Sequence, residues 1–236
     1  MLNELNNYMF YENNINNLLK TKDDLNETKQ PNVSNKTSIF YPTSDDTLFW
    51  CFYIILKGEF NYDSMKKNAL VSKQLKIELI QQIRENKSLL KQYKFDTLTN
   101  IESNLANDNN INVKTLLSLC LIENINVLFV SNKSYIELLM NDSTTIYIIY
   151  EKQYNKYCKT YGYELSTEKI RDDIKSTLYK IEICDINKPI KSISGYKVID
   201  LINICKKLDI NTINIDTGKQ KRKNDLYQQI LQTLNI

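Results

Sequence analysis

The apolar positions of this chain change their period partway along it. In the first half they recur at helical spacing. Residues 2–20 place Leu2, Leu5, Met9, Ile15, Leu18 and Leu19 near one face, which predicts a short N-terminal helix. Residues 21–43 are polar, carry Pro31 and Pro42, and show no period, so they read as a linker or surface loop. Ser44, Asp45 and Asp46 then offer capping side chains for a helix over 47–57. That helix is apolar on nearly every face, as expected of the buried centre of a domain, and Gly58 supplies its stop. Residues 64–93 set Leu70, Leu75, Leu79, Ile80, Ile83, Leu89 and Leu90 among many charges, predicting one long amphipathic helix or two shorter ones. Two more helices are predicted over 97–106 and 112–123.

The pattern then turns to short β-branched runs. Residues 126–130 and 144–150 read as strands, with turn chemistry at Asn141, Asp142 and Ser143 between them. Residues 134–140 fit a hairpin strand or a helical turn, and 179–184 a further strand. The expected fold is α+β: a helical N-terminal half packed on a small, mostly antiparallel sheet. Pro189 and the stretch 192–195 punctuate the chain, which divides it into 1–43, an α+β domain over 44–190, and a tail over 195–236.

Two apolar stripes mark the tail. Val198, Leu201, Cys205, Leu208 and Ile210 form one, and Leu226, Ile230 and Leu234 the other. Two short helices with these stripes facing would bury them, with Ile213 and Ile215 closing the gap. Residues 211–217 should be extended, Gly218 permits a tight turn, and Asn224 is placed to cap the second helix.

Composition removes function classes more readily than it supplies them. Apolar residues at 42% and charged residues at 25% are globular values. No apolar run approaches ~18 residues, so no membrane span or membrane partner is expected. The polar, Asn-rich start does not resemble a signal peptide, which points to a protein that is not secreted. Five cysteines lie far apart, with no pair at metal-ligand or redox spacing. Histidine is absent, which removes Ser-His and Cys-His chemistry and the usual zinc sites. The expectation is a non-enzymatic protein without metal or cofactor.

Charge adds a positive indication. The net +3 resides wholly in the tail, where seven cations oppose four aspartates. Lys219, Lys221, Arg222 and Lys223 fall within five consecutive positions, with Lys197, Lys206 and Lys207 as outer cations. Lysines ahead of a helix N-terminus oppose its dipole. A phosphate docked between them and the free N–H groups would resolve that conflict. About four phosphate contacts would give a salt slope of about −3.6.

These residues resemble a known module. Val198-x-x-Leu201, Leu208-Asp209-Ile210, Gly218-Lys219 and Lys223-x-x-Leu226-x-x-x-Ile230 are similar to the SAP-type helix–extended loop–helix motif, and to an N-terminal module of a transcription terminator. The resemblance implies DNA binding through backbone contacts, with Gly218, Lys219 and Lys223 carried over by motif position. Asp209 stands where that family usually has Gly, and the loop before Gly218 is several residues longer. The whole chain resembles a protein of the nucleocytoplasmic large DNA viruses, through the segment Asp46-Thr47-Leu48-Phe49-Trp50-Cys51-Phe52-Tyr53 ahead of a SAP-like tail. The Asn/Ile/Lys bias fits an AT-rich genome. This resemblance implies a viral factory in the host cytoplasm, or the virion, as the setting, and a viral protein partner for the domain over 44–190. The alternative is a virion structural or interaction protein whose basic tail is only solvated surface.

Two further constellations stand out. Tyr150, Tyr154, Tyr157 and Tyr161 recur at helical spacing with Lys152, Lys156 and Lys159 between them. On a helix they would form either a packed aromatic face or a stacking platform for single strands. The acids at 45–46 and Cys51 resemble the nucleophile helix of papain-like and OTU-type cysteine proteases. Cys51 lies a turn inside its helix, however, away from the positive end that would stabilise a thiolate. The residues therefore predict a buried structural thiol, with an inactive relative of such proteases as the lesser alternative.

Overall fold

The computed structural model describes residues 39–65, 69–155, 158–178, 181–214 and 218–234. The N-terminal helix expected over 2–20, and most of the expected linker over 21–43, lie outside them. The described residues belong to one compact unit, Ser38–Ile236, and its architecture is α+β.

Helix α1, Thr47–Lys57, is the buried centre that its all-round apolar character predicts: Leu48 to Ile54 are all buried. Asp46 caps it, accepting from the Phe49 N–H at 3.3 Å, with its own backbone left-handed at φ 53°. The same carboxylate accepts from the Ile111 N–H and from Lys76 Nζ at 2.6 Å. One buried acid therefore ties three segments together, and its charge is paired, as burial requires. Gly58 ends α1 at φ 87°, its N–H bonded to the Ile54 carbonyl.

Helix α2, Glu59–Met65, follows directly. The amphipathic stretch beyond it divides at Asn86 into α3, Ala69–Glu85, and α4, Lys87–Tyr93. Thr97 and Asn112 cap α5, Leu98–Asn107, and α6, Val113–Ile122, each accepting from a backbone N–H three residues on.

Five strands form one mixed sheet in the order β4-β3-β1-β2-β5: β1 Val127–Ser131, β2 Ser134–Leu138, β3 Ile146–Asn155, β4 Cys158–Ser166 and β5 Ile181–Glu182. The hairpins β1–β2 and β3–β4 are antiparallel, whereas β1–β3 and β2–β5 are parallel. The parallel pairing arises because the chain leaves β2 and crosses to the far side of β1. Buried Asn126 organises that crossing. Its amide donates to the Asn141 and Ser143 carbonyls, its Oδ1 accepts from the Met140 and Asn141 N–H groups, and its carbonyl accepts from Tyr147 N–H.

The sheet is covered on both faces. Val127, Phe129, Ile149 and Tyr163 pack with α1 and α6 in the main core. Leu128, Val130, Ile146 and Ile148 pack with Ile174, which begins a π-helical turn, Ile174–Leu178, that extends α7, Glu168–Asp173. None of α2, β4 and α7 is foreshadowed by the apolar pattern. Phe40 adds a short antiparallel bridge to Tyr163 at the outer edge of β4.

The tyrosine spacing does not form a helix. Tyr150 and Tyr154 lie on β3 and Tyr161 on β4, while Tyr157 lies outside the described residues. Pairing with β1 on one side and β4 on the other overrides a periodicity that local spacing alone would allow.

Candidate nucleic-acid interface

The tail contains helices α8, Val198–Lys207, and α9, Lys223–Leu234. The Asp200 carboxylate closes the start of α8 by accepting from the Lys197 N–H at 2.8 Å. Leu201, Cys205 and Leu208 meet Leu226, Ile230 and Leu234 in a small core of their own, with Ile210 partly buried against it. Val198, 43% exposed, stays outside it, and so does Ile213 at 51%, which therefore does not close the gap. Ile215 lies outside the described residues.

At the end of α8 the Ile210 N–H reaches back to the Cys205 carbonyl at 2.8 Å, and Asp209 adopts φ 58°. The backbone there takes the left-handed form that glycine adopts most easily. Asp209, an exposed non-glycine residue, takes that conformation here.

The loop that follows folds back on itself. Ile213 bridges Gln220, the Asn214 N–H donates to the Lys219 carbonyl, and the Lys221 N–H donates to the Thr212 carbonyl at 3.0 Å. Gly218, at φ 65°, makes the turn, and its N–H donates to the Asn214 carbonyl. This ladder holds the last turn of α8 beside the first turn of α9. The second helix begins at Lys223, and Leu226 N–H bonds to the Arg222 carbonyl, so Asn224 lies inside the helix rather than capping it.

The ladder brings two groups of cations to one end of the module. Lys206 and Lys207 are exposed on the last turn of α8; Lys219 and Arg222 are exposed, and Lys223 half-buried, at the approach to α9. Lys221 belongs to the scaffold, because its Nζ donates to the Asn211 carbonyl at 2.6 Å and to Gln229 Oε1 at 3.0 Å. Lys197 stands at the other end of α8, roughly 15 Å away for ten residues of helix. Burial raises the Cys205 thiol pKa, against the opposing pull of the Lys221 charge.

One residue of this arrangement has no signal in the tail sequence. Lys133, at the β1–β2 turn, donates to the Leu208 carbonyl and stands 3.8 Å from Asp209. It places a cation at the negative end of α8 and joins the tail to the sheet.

The other candidate residues have structural surroundings. Cys51 is fully buried in α1, and burial, then the Asp46 charge, pushes its thiol well above the ordinary range. Cys120 is pushed up to about 12 by burial and then by Glu123. Tyr150 and Tyr163 donate to Glu164 and Glu59, and Tyr161 stands 3.4 Å from Glu151. These rings are packed and their hydroxyls partnered. A cleft of about 450 Å³ opens where β1 and β3 part, between Phe129, Glu151, Lys114 and Leu234.

Comparison with protein-family models, curated proteins and solved structures finds no match to this chain. Among the described residues no helix is long and apolar enough to cross a membrane.

Proposed function

We propose that this chain is a non-enzymatic nucleic-acid-associated protein whose C-terminal helix pair tethers the α+β body to DNA through phosphate contacts. The supporting observation is the loop ladder, which gathers Lys206, Lys207, Lys219, Arg222 and Lys223 at one end of the packed helical pair. Lys221 holds that end together, and Gly218 turns it. Lys197 is an outlying contact. Phosphate contacts carry little sequence information, so binding is weak and largely sequence-neutral. The setting is a viral factory or virion, where the body engages a viral protein.

The test is DNA retention by the full chain across a salt titration. Lys206→Gln/Lys207→Gln/Arg222→Gln should make the log–log salt slope shallower by about 2.7, about 0.9 for each phosphate no longer neutralised. An unchanged slope would remove the reading.

A second reading is favoured by Phe60, Leu70 and Ile77, which stand 84%, 76% and 64% exposed on α2 and α3. Apolar residues so exposed suit a protein-interaction surface, as in a virion structural protein without nucleic-acid binding. Loss of association with virion proteins on Leu70→Ser/Ile77→Ser, with no DNA binding by the wild type, would favour it.

A further inference from the structure

We infer that the cleft between the sheet and the last turn of α9 is a binding site for a small, uncharged, largely apolar molecule. The site stands apart from the DNA reading and uses none of the tail cations. Topology creates the cleft. β1 and β3 pair in parallel through Val127–Val130 and Tyr147–Tyr150. Past that ladder the chain leaves β1 for β2 on one side, while β3 stays paired with β4 on the other. Connections that leave neighbouring parallel strands in opposite directions open a crevice at their carboxyl ends, the usual place for a ligand in open α/β sheets. Ser131 and Glu151, the first residues past the ladder, both line the opening.

The walls come from four parts of the fold. Phe129 and Ile136 line the cleft from the sheet, Val113 from the first turn of α6, Ile186 from the segment after β5, and Leu234 from α9. Phe129 belongs to the main core and Leu234 to the tail core, so one bound molecule would touch both. The volume of about 450 Å³ falls within the ~300–1,000 Å³ of small-molecule sites.

The charges on these walls already have partners. Lys114 Nζ donates to Asn187 Oδ1 at 2.7 Å and stands 3.8 Å from Asp96. The Asp96 carboxylate also accepts from Asn100 Nδ2 and from the Thr97 N–H. Glu151, its side chain 5% exposed, stands 3.1 Å from Lys159. A charged ligand would have to displace one of these partners or enter unpaired, which is costly. An uncharged one displaces none and gains by covering apolar wall. Ser131 and Ser134 add hydroxyls. Ser134 Oγ donates its proton to the Ser131 carbonyl at 3.1 Å, which leaves its oxygen able to accept. The molecule that fits is an apolar ring or chain carrying a hydrogen-bond donor such as a hydroxyl.

The test titrates the full chain with naphthol, naphthoate and naphthylmethylamine, and follows protein amide and methyl shifts by NMR. The three probes share a ring system and are neutral, anionic and cationic at neutral pH. Naphthol should bind saturably and shift Val113, Ile136 and Leu234. Each charged probe should bind about tenfold more weakly, or weaker still. Val113→Trp, which fills the cleft from α6, should abolish the naphthol shifts. Should that variant lose structure by circular dichroism, Ile186→Phe should abolish them from the opposite wall. Absence of saturable binding by all three probes overturns the site. Equal or tighter binding of a charged probe overturns the ligand class. Wild-type affinity for naphthol in both filled variants overturns the location. Binding that appears only after removal of Asn235 and Ile236 assigns the cleft to the end of the chain itself, and overturns the proposal.

Discussion

Cys51 and Cys184 carry the same thiol in opposite surroundings. Cys51 has no exposed surface, and burial together with Asp46 keeps it protonated; Cys184 is exposed. A thiolate is the reactive form, and access decides the rest. A brief iodoacetamide pulse on the folded protein should therefore label Cys184 and spare Cys51, Cys120 and Cys205, as read by peptide mass spectrometry. Labelling of Cys51 at the rate of Cys184 would show that α1 opens and would revive a nucleophilic role. At this scale local chemistry is largely legible in the sequence. The Asp46 cap and the Gly58 stop depend only on neighbours within a turn. Asn224 has the side chain of a cap but not the position of one. The start of α9 is set by the backbone ladder ending at Lys221, whose partner Thr212 lies outside any local window.

At the scale of elements, helices are easier to read than strands. Among the described helices of the first half, all but α2 show their own apolar face or their own cap; α2 buries only Tyr62 and has neither signal. The tyrosines at 150, 154 and 161 satisfy a helical period, yet pairing between β3 and β4 decides their conformation. Gly162 marks what the period conceals. A Cβ there would stand 2.7 Å from the Tyr41 ring and 2.8 Å from Ile39 Cγ2, because residues 39–41 lie along the edge of β4. Gly162→Ala should destabilise the fold by about 1–3 kcal/mol, the usual effect of overpacking. Urea denaturation measures it, and an unchanged midpoint would show that the edge segment is not seated on β4.

Across the whole molecule, the contact that matters most to the candidate site is Lys133 with Leu208, separated by 75 residues. It fixes the end of α8 against the sheet and so sets where the tail cations stand. Lys133→Met should release that end at a cost on the order of 1 kcal/mol, since the lysine is partly solvated. Hydrogen exchange should quicken in α8 and α9 while the main core stays protected. Equal protection in both proteins would mean that the tail is seated by its apolar contacts alone.

The amino-acid sequence determined the buried helix over 47–57 and the helices between 69 and 122, the existence of a sheet after residue 126, the two tail stripes and the concentration of charge beside them. Each of these follows from periodicity or composition within a few residues. The parallel β1–β3 pairing, the β3–β4 hairpin, the folded-back loop and the division of the tail lysines into scaffold and exposed cations came from the tertiary structure. They depend on which distant backbone groups satisfy one another, and on single residues such as Asn126 and Lys133. The partners of those residues can be identified only once the chain has folded.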